Sequence, residues 1–134
     1  MDLNILVVDD SAVMRAILAR TLRLSGLRID SIHEASNGQE ALRVLARESI
    51  GLVLLDINMP VMGGEELVAR IRAEPAMAEL PLLVISAERN EKRICRLRER
   101  GAKFVHKPFT PEGLREVLLE LLEVSDAWAR RGRR

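Results

Sequence analysis

The sequence contains little that would serve a base-stacking, disulfide-bonded or membrane-spanning protein. Its 134 residues include no Tyr, one Trp and two Phe, so aromatic platforms for bases or sugars are not expected. The single cysteine, Cys95, excludes an internal disulfide. No apolar run reaches the roughly 20 residues needed to cross a bilayer, and no signal-peptide pattern opens the chain. These absences predict a protein of the reducing cytoplasm.

Neither sign of charge dominates the chain, which has 21 basic and 20 acidic side chains. Four of the basic side chains crowd the last five positions, so the rest of the chain is mildly acidic. A mildly acidic body argues against a general nucleic-acid surface. The basic end is interpreted as a solvated terminus, with contact to a phosphate backbone or an acidic partner as the alternative.

The order of apolar segments predicts an α/β protein with a single, doubly wound, five-stranded parallel sheet. Short apolar runs alternate with longer amphipathic ones along the whole chain, as in (βα)5 proteins. Apolar residues at helical spacing mark the first helix: Met14, Ile17, Leu18 and Leu22. The predicted strands cover residues 4–8, 29–35, 50–57, 80–86 and 102–106.

Capping residues support this division. Ser11 is a candidate N-cap of the first helix and Gly26 a candidate end. Pro75 follows the third helix, and Thr110-Pro111 opens the last one. In the fourth helical segment, 88–103, ten of sixteen residues are charged, which predicts a loosely held helix that is either solvated or faces a partner.

Polar residues lie at or just after the ends of four of the predicted strands, within "VVDDS", "LLDINMP", "VISAE" and "HKPF". In a doubly wound sheet, ligands bind beyond the carboxyl ends of the strands, so these side chains are expected to converge. The converging residues are Asp9, Asp10, Asp56, Ser86 and Lys107. Taken singly, an acidic pair there often caps a helix, and a serine at a strand end often belongs to a turn.

Three neighbouring carboxylates call for a cation. At an effective dielectric near 20, each close pair costs on the order of 4 kcal/mol. Hard oxygen ligands favour Mg²⁺, with Mn²⁺ possible. Asp56 is the candidate nucleophile because it follows a buried strand and precedes an open loop, which Pro60 and Gly63-Gly64 are predicted to keep out of regular structure. Lys107 would balance charge on a phosphoryl group, and Ser86 would donate a hydrogen bond to it.

These motifs, together with "LLDINMPVMGG", "VISA" and "KPF", resemble the receiver domain of bacterial two-component response regulators over residues 3 to 124. The resemblance implies the flavodoxin-like strand order 2-1-3-4-5. It also implies that Asn58 and Glu88 border the phosphoryl group and tune its lifetime. The implied site roles are Asp56 as phosphoacceptor, Asp9, Asp10, Asp56 and the Asn58 carbonyl as metal ligands, Ser86 as switch hydroxyl, Phe104 as switch aromatic and Lys107 as the motif lysine.

By the same resemblance, a histidine kinase, a phosphotransfer protein or a small phosphodonor supplies the phosphoryl group in a Mg²⁺-dependent reaction. The domain would be no enzyme beyond its own phosphorylation and dephosphorylation. It would signal to a downstream protein, as in chemotaxis, through the face formed by the fourth helix, fifth strand and fifth helix. Both a monomer and a phosphorylation-dependent dimer are compatible with this interpretation.

The implied layout is a receiver domain over 1–124, then the end of the last helix and a short basic tail over 125–134, with no output domain and no DNA-binding domain. Trp128 is interpreted as a core residue, with a partner contact as the alternative, and His33 and His106 as structural or surface residues. Other functions kept open are a phosphorelay intermediate and a receiver-like scaffold that is not phosphorylated. A Mg²⁺-dependent phosphohydrolase of the haloacid dehalogenase type is disfavoured, because its nucleophile lies on the first strand in a D-x-D pattern.

Overall fold

The computed structural model describes the backbone of residues 3–132 and the side chains of residues 3–123. The side chain of Trp128 and those of the basic tail therefore lie outside the described residues. The elements in chain order are β1 (Leu3–Val8), α1 (Ala12–Arg23), β2 (Ile29–Ala35), α2 (Gly38–Arg47), β3 (Leu52–Leu55), α3 (Gly64–Ala73), a short 3₁₀ helix (Pro75–Met77), β4 (Leu82–Ser86), α4 (Glu91–Glu99), β5 (Lys103–His106) and α5 (Pro111–Gly132).

The five strands form one parallel sheet in the order β2-β1-β3-β4-β5. This confirms the predicted fold class and strand order. Within the part of the chain that the structure describes, no helix combines the length and the apolar character needed to span a bilayer.

The sheet separates two apolar cores. Successive residues of a strand point to opposite faces, so Ile5 and Val7 lie in one core while Leu6 and Val8 lie in the other. The first core packs under α1 and α5, and the second under α2, α3 and α4. β1, β3 and β4 are buried on both faces, which is why their sequences lack polar alternation.

The strands are shorter than the apolar runs that predicted them. The third run was expected to form a strand over 50–57, but β3 ends at Leu55. Ile57 is nevertheless only 1% exposed, because the chain packs it into the core after leaving the sheet. The apolar sequence pattern follows burial, so it continues past Leu55, the last residue of β3.

Most helix-end predictions agree with the structure. Ser11 caps α1, since its Oγ accepts a hydrogen bond from Met14 N at 3.1 Å. Thr110 Oγ1 accepts from Gly113 N at 3.0 Å, and Pro111 is the first residue of α5. By contrast, α1 ends at Arg23, before Gly26.

The predicted burial of Ile17 is wrong. It is 45% exposed, while Leu18 and Leu22 of the same helix are buried. The apolar stripe of α1 is therefore wider than the face that packs on the sheet.

Helix α4 has the narrow apolar contact that its composition predicted, but it is also held by charge. Only Ile94 and Leu97 are buried, and Cys95 is exposed. Glu65, in the first turn of α3, forms ion pairs with Arg93 and Arg96 of α4. The helix is thus tied to its neighbour by polar contacts that the sequence did not reveal.

Candidate functional site

Asp9 and Asp56 lie side by side because they extend neighbouring strands by one residue. Val8 of β1 pairs with Leu55 of β3, and Asp56 N donates to the Val8 carbonyl at 3.0 Å. Asp10 follows on the same rim. One carboxylate oxygen from each of these three aspartates lies within 4.8 Å of the other two. The sheet itself therefore places the acidic cluster.

Lys107 reaches this cluster from the β5 edge. Its backbone N donates to the Ser86 carbonyl at 2.9 Å. Its Nζ lies 3.0 Å from Asp9 Oδ2 and 3.1 Å from Asp56 Oδ2. Burial by itself would lower the pKa of Lys107, but the hydrogen bonds and charges of Asp9 and Asp56 outweigh it and raise the pKa above its ordinary value. The ammonium therefore remains charged throughout the neutral range.

Backbone donors orient both carboxylates. Asp9 Oδ1 accepts from Ser11 N at 2.9 Å, and Asp56 Oδ1 accepts from Ile57 N at 2.7 Å. Arg15 Nη1 donates to the Asp9 carbonyl at 2.6 Å. The Asp9 side chain is only 3% exposed and that of Asp56 is 12% exposed. Both carboxylates are accordingly fixed in direction and shielded from bulk water.

Ser86 and Phe104 lie on the strands next to this cluster. Ser86, the last residue of β4, is fully buried, and its Oγ accepts from Glu88 N at 3.3 Å. Phe104 of β5 is partly buried, packs against the core under α2, α3 and α4, and has its ring centroid 4.7 Å from that of His106. Ser86 is therefore fixed at the rim, whereas Phe104 lies between the core and the surface.

The loop after Asp56 is more ordered than its Pro and Gly residues suggested. Gly64 does not lie in the loop but is the first residue of α3, and its N donates to the Ile57 carbonyl at 2.8 Å. A Cβ at this position would lie 2.3 Å from the Asp56 carbonyl oxygen. Close packing of α3 on the backbone of Asp56 therefore requires glycine here.

Val61 is strained within this loop. Its φ of 69° lies in the left-handed region, which a β-branched residue rarely adopts. Met62 N donates to the Pro60 carbonyl at 2.8 Å, which closes a three-residue turn around Val61. The side chain is 74% exposed, so packing does not compensate the strain.

Val61→Asn is expected to raise the free energy of unfolding by about 1 kcal/mol, because asparagine adopts positive φ at lower cost. Urea unfolding measures the change. Val13→Asn is the matched control, since Val13 is 70% exposed on α1 and has no strain to relieve. An equal gain in both variants would contradict the strain argument.

Sequence reasoning missed one group near the site, formed by Arg93 together with Glu65, Glu88 and Asn58. Arg93 pairs with both glutamates, and its Nη1 lies 3.4 Å from Asn58 Oδ1. One signal was available: Arg93 lies in the first turn of α4, where a basic side chain opposes the helix dipole. An arginine at such a position is expected only where nearby carboxylates compensate its charge.

A parallel sheet in the order 2-1-3-4-5, with three carboxylates and a lysine at its carboxyl edge, defines a flavodoxin-like α/β protein with an acidic switch-point site. The model of the response regulator receiver domain matches residues 5–119. The chain belongs to the response regulator receiver domain family.

Several chemotaxis proteins resemble this chain over most of their length. A chemotaxis protein CheY homolog of Campylobacter jejuni is 36% identical over 90% of this chain and 92% of its own. Chemotaxis protein CheY1 of Helicobacter pylori is 36% identical over 92% of this chain and all of its own. The structure of Vibrio cholerae chemotaxis protein CheY4 is 30% identical, covers 90% of this chain and 99% of its own, and superposes with a TM-score of 0.80. The chain is thus a CheY-type receiver domain, which is a signalling domain of two-component systems.

Proposed function

We propose that this chain is a response regulator receiver that accepts a phosphoryl group on Asp56 from a histidine kinase or a phosphotransfer protein. The observation that carries the proposal is the meeting of Asp9, Asp10 and Asp56 within 4.8 Å, with Lys107 Nζ bonded to two of them. A carboxylate nucleophile, an acidic cation site and a fixed ammonium are the groups that phosphoryl transfer to aspartate requires.

In this reaction a carboxylate oxygen of Asp56 attacks the phosphorus. The bond from phosphorus to the donor's histidine nitrogen breaks, and that nitrogen keeps the electron pair. Lys107 supports the added negative charge because its ammonium already lies 3.1 Å from Asp56 Oδ2. Ser86 donates its hydroxyl hydrogen to a phosphoryl oxygen.

The donor set fits a Mg²⁺ ion. Asp9, Asp10 and Asp56 would hold it with the Asn58 carbonyl, since these are hard oxygen ligands. Mn²⁺ suits the same ligands. When bound, the ion neutralises charge on the phosphoryl oxygens. The bond from Ser11 N fixes the direction of the Asp9 carboxylate.

The face of α4, β5 and α5 is the proposed signalling surface for a downstream protein. A groove of about 480 Å³ lies between these elements. Arg98, Lys103, Phe104, Val117 and Glu120 line it. The groove therefore combines apolar area with charge, and Phe104 of β5 forms part of its wall. A phosphoryl group that changes the position of Ser86 would alter this surface through β4 and β5, which pair at Ser86 and His106.

The test is to incubate the protein with acetyl phosphate and Mg²⁺ and to measure its intact mass. One added phosphoryl group is expected, and EDTA should prevent it. Hydroxylamine should remove the group, because it cleaves an acyl phosphate but not a serine phosphate. No added mass, under conditions that label another receiver domain, would exclude phosphoryl acceptance and favour a binding scaffold.

A further inference from the structure

Arg93 joins the two helices and the two loops on the α4 side of the site. It lies in the first turn of α4, and its guanidinium contacts Glu65 in the first turn of α3. It also contacts Glu88, in the loop after β4, and Asn58, in the loop after β3, the latter at 3.4 Å. One side chain thus spans the segments that follow Asp56 and Ser86.

Glu88 is held on several sides. Its Oε2 accepts from Arg89 N and Asn90 N, each at 3.1 Å. These backbone bonds, from Asn90 first, lower the pKa of Glu88, and the charge of Arg93 and a hydrogen bond from Asn58 contribute. The carboxylate is therefore ionised near neutral pH, and Arg93 is the cation that fixes its remaining oxygen.

The Arg93 side chain is firmly charged and less exposed than that of Arg96. Hydrogen bonding to Glu65, ahead of the contacts with Glu88, raises the pKa of Arg93. The Arg93 side chain is 32% exposed, against 56% for Arg96. Arg96 contacts Glu65 at 3.3 Å, but no contact of Arg96 with Glu88 or Asn58 is found in the described part of the chain. The two arginines share the anchor on α3, and only Arg93 reaches the rim of the site.

We propose that Arg93 is a positioning residue that holds the side chains of Glu88 and Asn58 at the rim of the phosphorylation site and thereby prolongs the life of the phosphoryl group. The proposal rests on the proposed phosphorylation of Asp56. Glu88 and Asn58 lie two residues beyond Ser86 and Asp56, and Arg93 contacts both side chains. Without Arg93, one oxygen of Glu88 and the side chain of Asn58 would be free to turn, which would open the rim to the water that attacks the phosphorus.

The experiment compares Arg93→Gln with Arg96→Gln. Each protein is labelled with acetyl phosphate and Mg²⁺, the donor is removed, and the loss of the group is followed by intact mass. The rate constant of loss is expected to rise about threefold to tenfold in Arg93→Gln and to stay within about twofold of wild type in Arg96→Gln. Arg93→Lys should lie between wild type and Arg93→Gln, because an ammonium cannot bond three acceptors in a fixed plane.

A double substitution tests whether Arg93 acts by positioning Glu88 or only by stabilising α4. If Arg93 acts through Glu88, adding Arg93→Gln to Glu88→Gln changes the rate constant much less than it does in wild type. Equal loss rates in the two arginine variants, or full additivity with Glu88→Gln, would overturn the proposal.

A second measurement does not depend on phosphorylation. The NMR signals of the Asn58 side-chain amide and the Glu88 backbone amide are expected to shift in unphosphorylated Arg93→Gln but not in Arg96→Gln. Unchanged signals in both would refute positioning by Arg93. A wild-type protein that takes no label refutes the proposed function instead, while this comparison still decides whether Arg93 orders the rim.

Discussion

Replacing Asp56 by asparagine is expected to abolish the added phosphoryl mass completely. The asparagine amide has nearly the same size and keeps an oxygen for the bond from Ile57 N, so the loop should retain its path. It has no carboxylate to attack phosphorus. The measurement is intact mass after incubation with acetyl phosphate and Mg²⁺. Asp30→Asn, an exposed position on β2, is the matched control and should be labelled like wild type.

The same substitution should stabilise the protein in the absence of divalent cations. It removes two repulsive carboxylate pairs, with Asp9 and Asp10, but only one attractive pair, with Lys107. A gain of about 1 kcal/mol in the free energy of unfolding is expected in EDTA. Persistent labelling of Asp56→Asn would move the acceptor to another residue, and a clear loss of stability would mean that Lys107 depends on Asp56 more than on Asp9.

Among the glycines of the described residues, Gly64 is the one whose replacement by alanine should cause the largest loss of stability. The new Cβ would lie 2.3 Å from the Asp56 carbonyl oxygen and 2.8 Å from Ile57 Cα. Backbone atoms cannot rotate aside as a flexible side chain does, so α3 must move away from the end of β3. A decrease of about 2–4 kcal/mol in the free energy of unfolding is expected, together with slower labelling of the displaced Asp56.

Gly51→Ala is the matched control for this prediction. Its Cβ would first meet Leu3 Cδ2, at 3.2 Å, which is the end of a flexible side chain. Urea unfolding should show a change below about 1 kcal/mol. Similar losses in both variants would mean that the contact of α3 with Asp56 is not the cause.

The sequence best predicted the central strands, which are buried on both faces, and the residues at their carboxyl ends. The apolar runs around Ile5, Leu54 and Val84 identified the central strands, because these are covered on both faces. The position of a residue after its strand was enough to bring Asp9, Asp56 and Lys107 to one edge, since the carboxyl ends of parallel strands meet there.

Features that depend on contacts between distant loops could not be predicted. The need for glycine at 64 follows from the distance between α3 and the Asp56 backbone, which no local pattern encodes. Arg93 is one basic residue in a strongly charged segment, and its importance depends on Glu65 and Glu88 lying within reach. The strain at Val61 likewise arises from the path of the loop and not from a turn-forming residue.

The bond from Lys107 Nζ to Asp9 Oδ2 joins positions that are 98 residues apart in sequence. Asp9 and Asp56 are present early in the growing chain, but their ammonium partner arrives only with β5, at the edge of the sheet. During synthesis from the N-terminus, Asp9 and Asp56 therefore lack this ammonium until the segment that carries Lys107 has left the ribosome. If Asp56 accepts a phosphoryl group as proposed, that reaction would accordingly become efficient only after β5 has joined the sheet, and labelling of the chain would report complete folding.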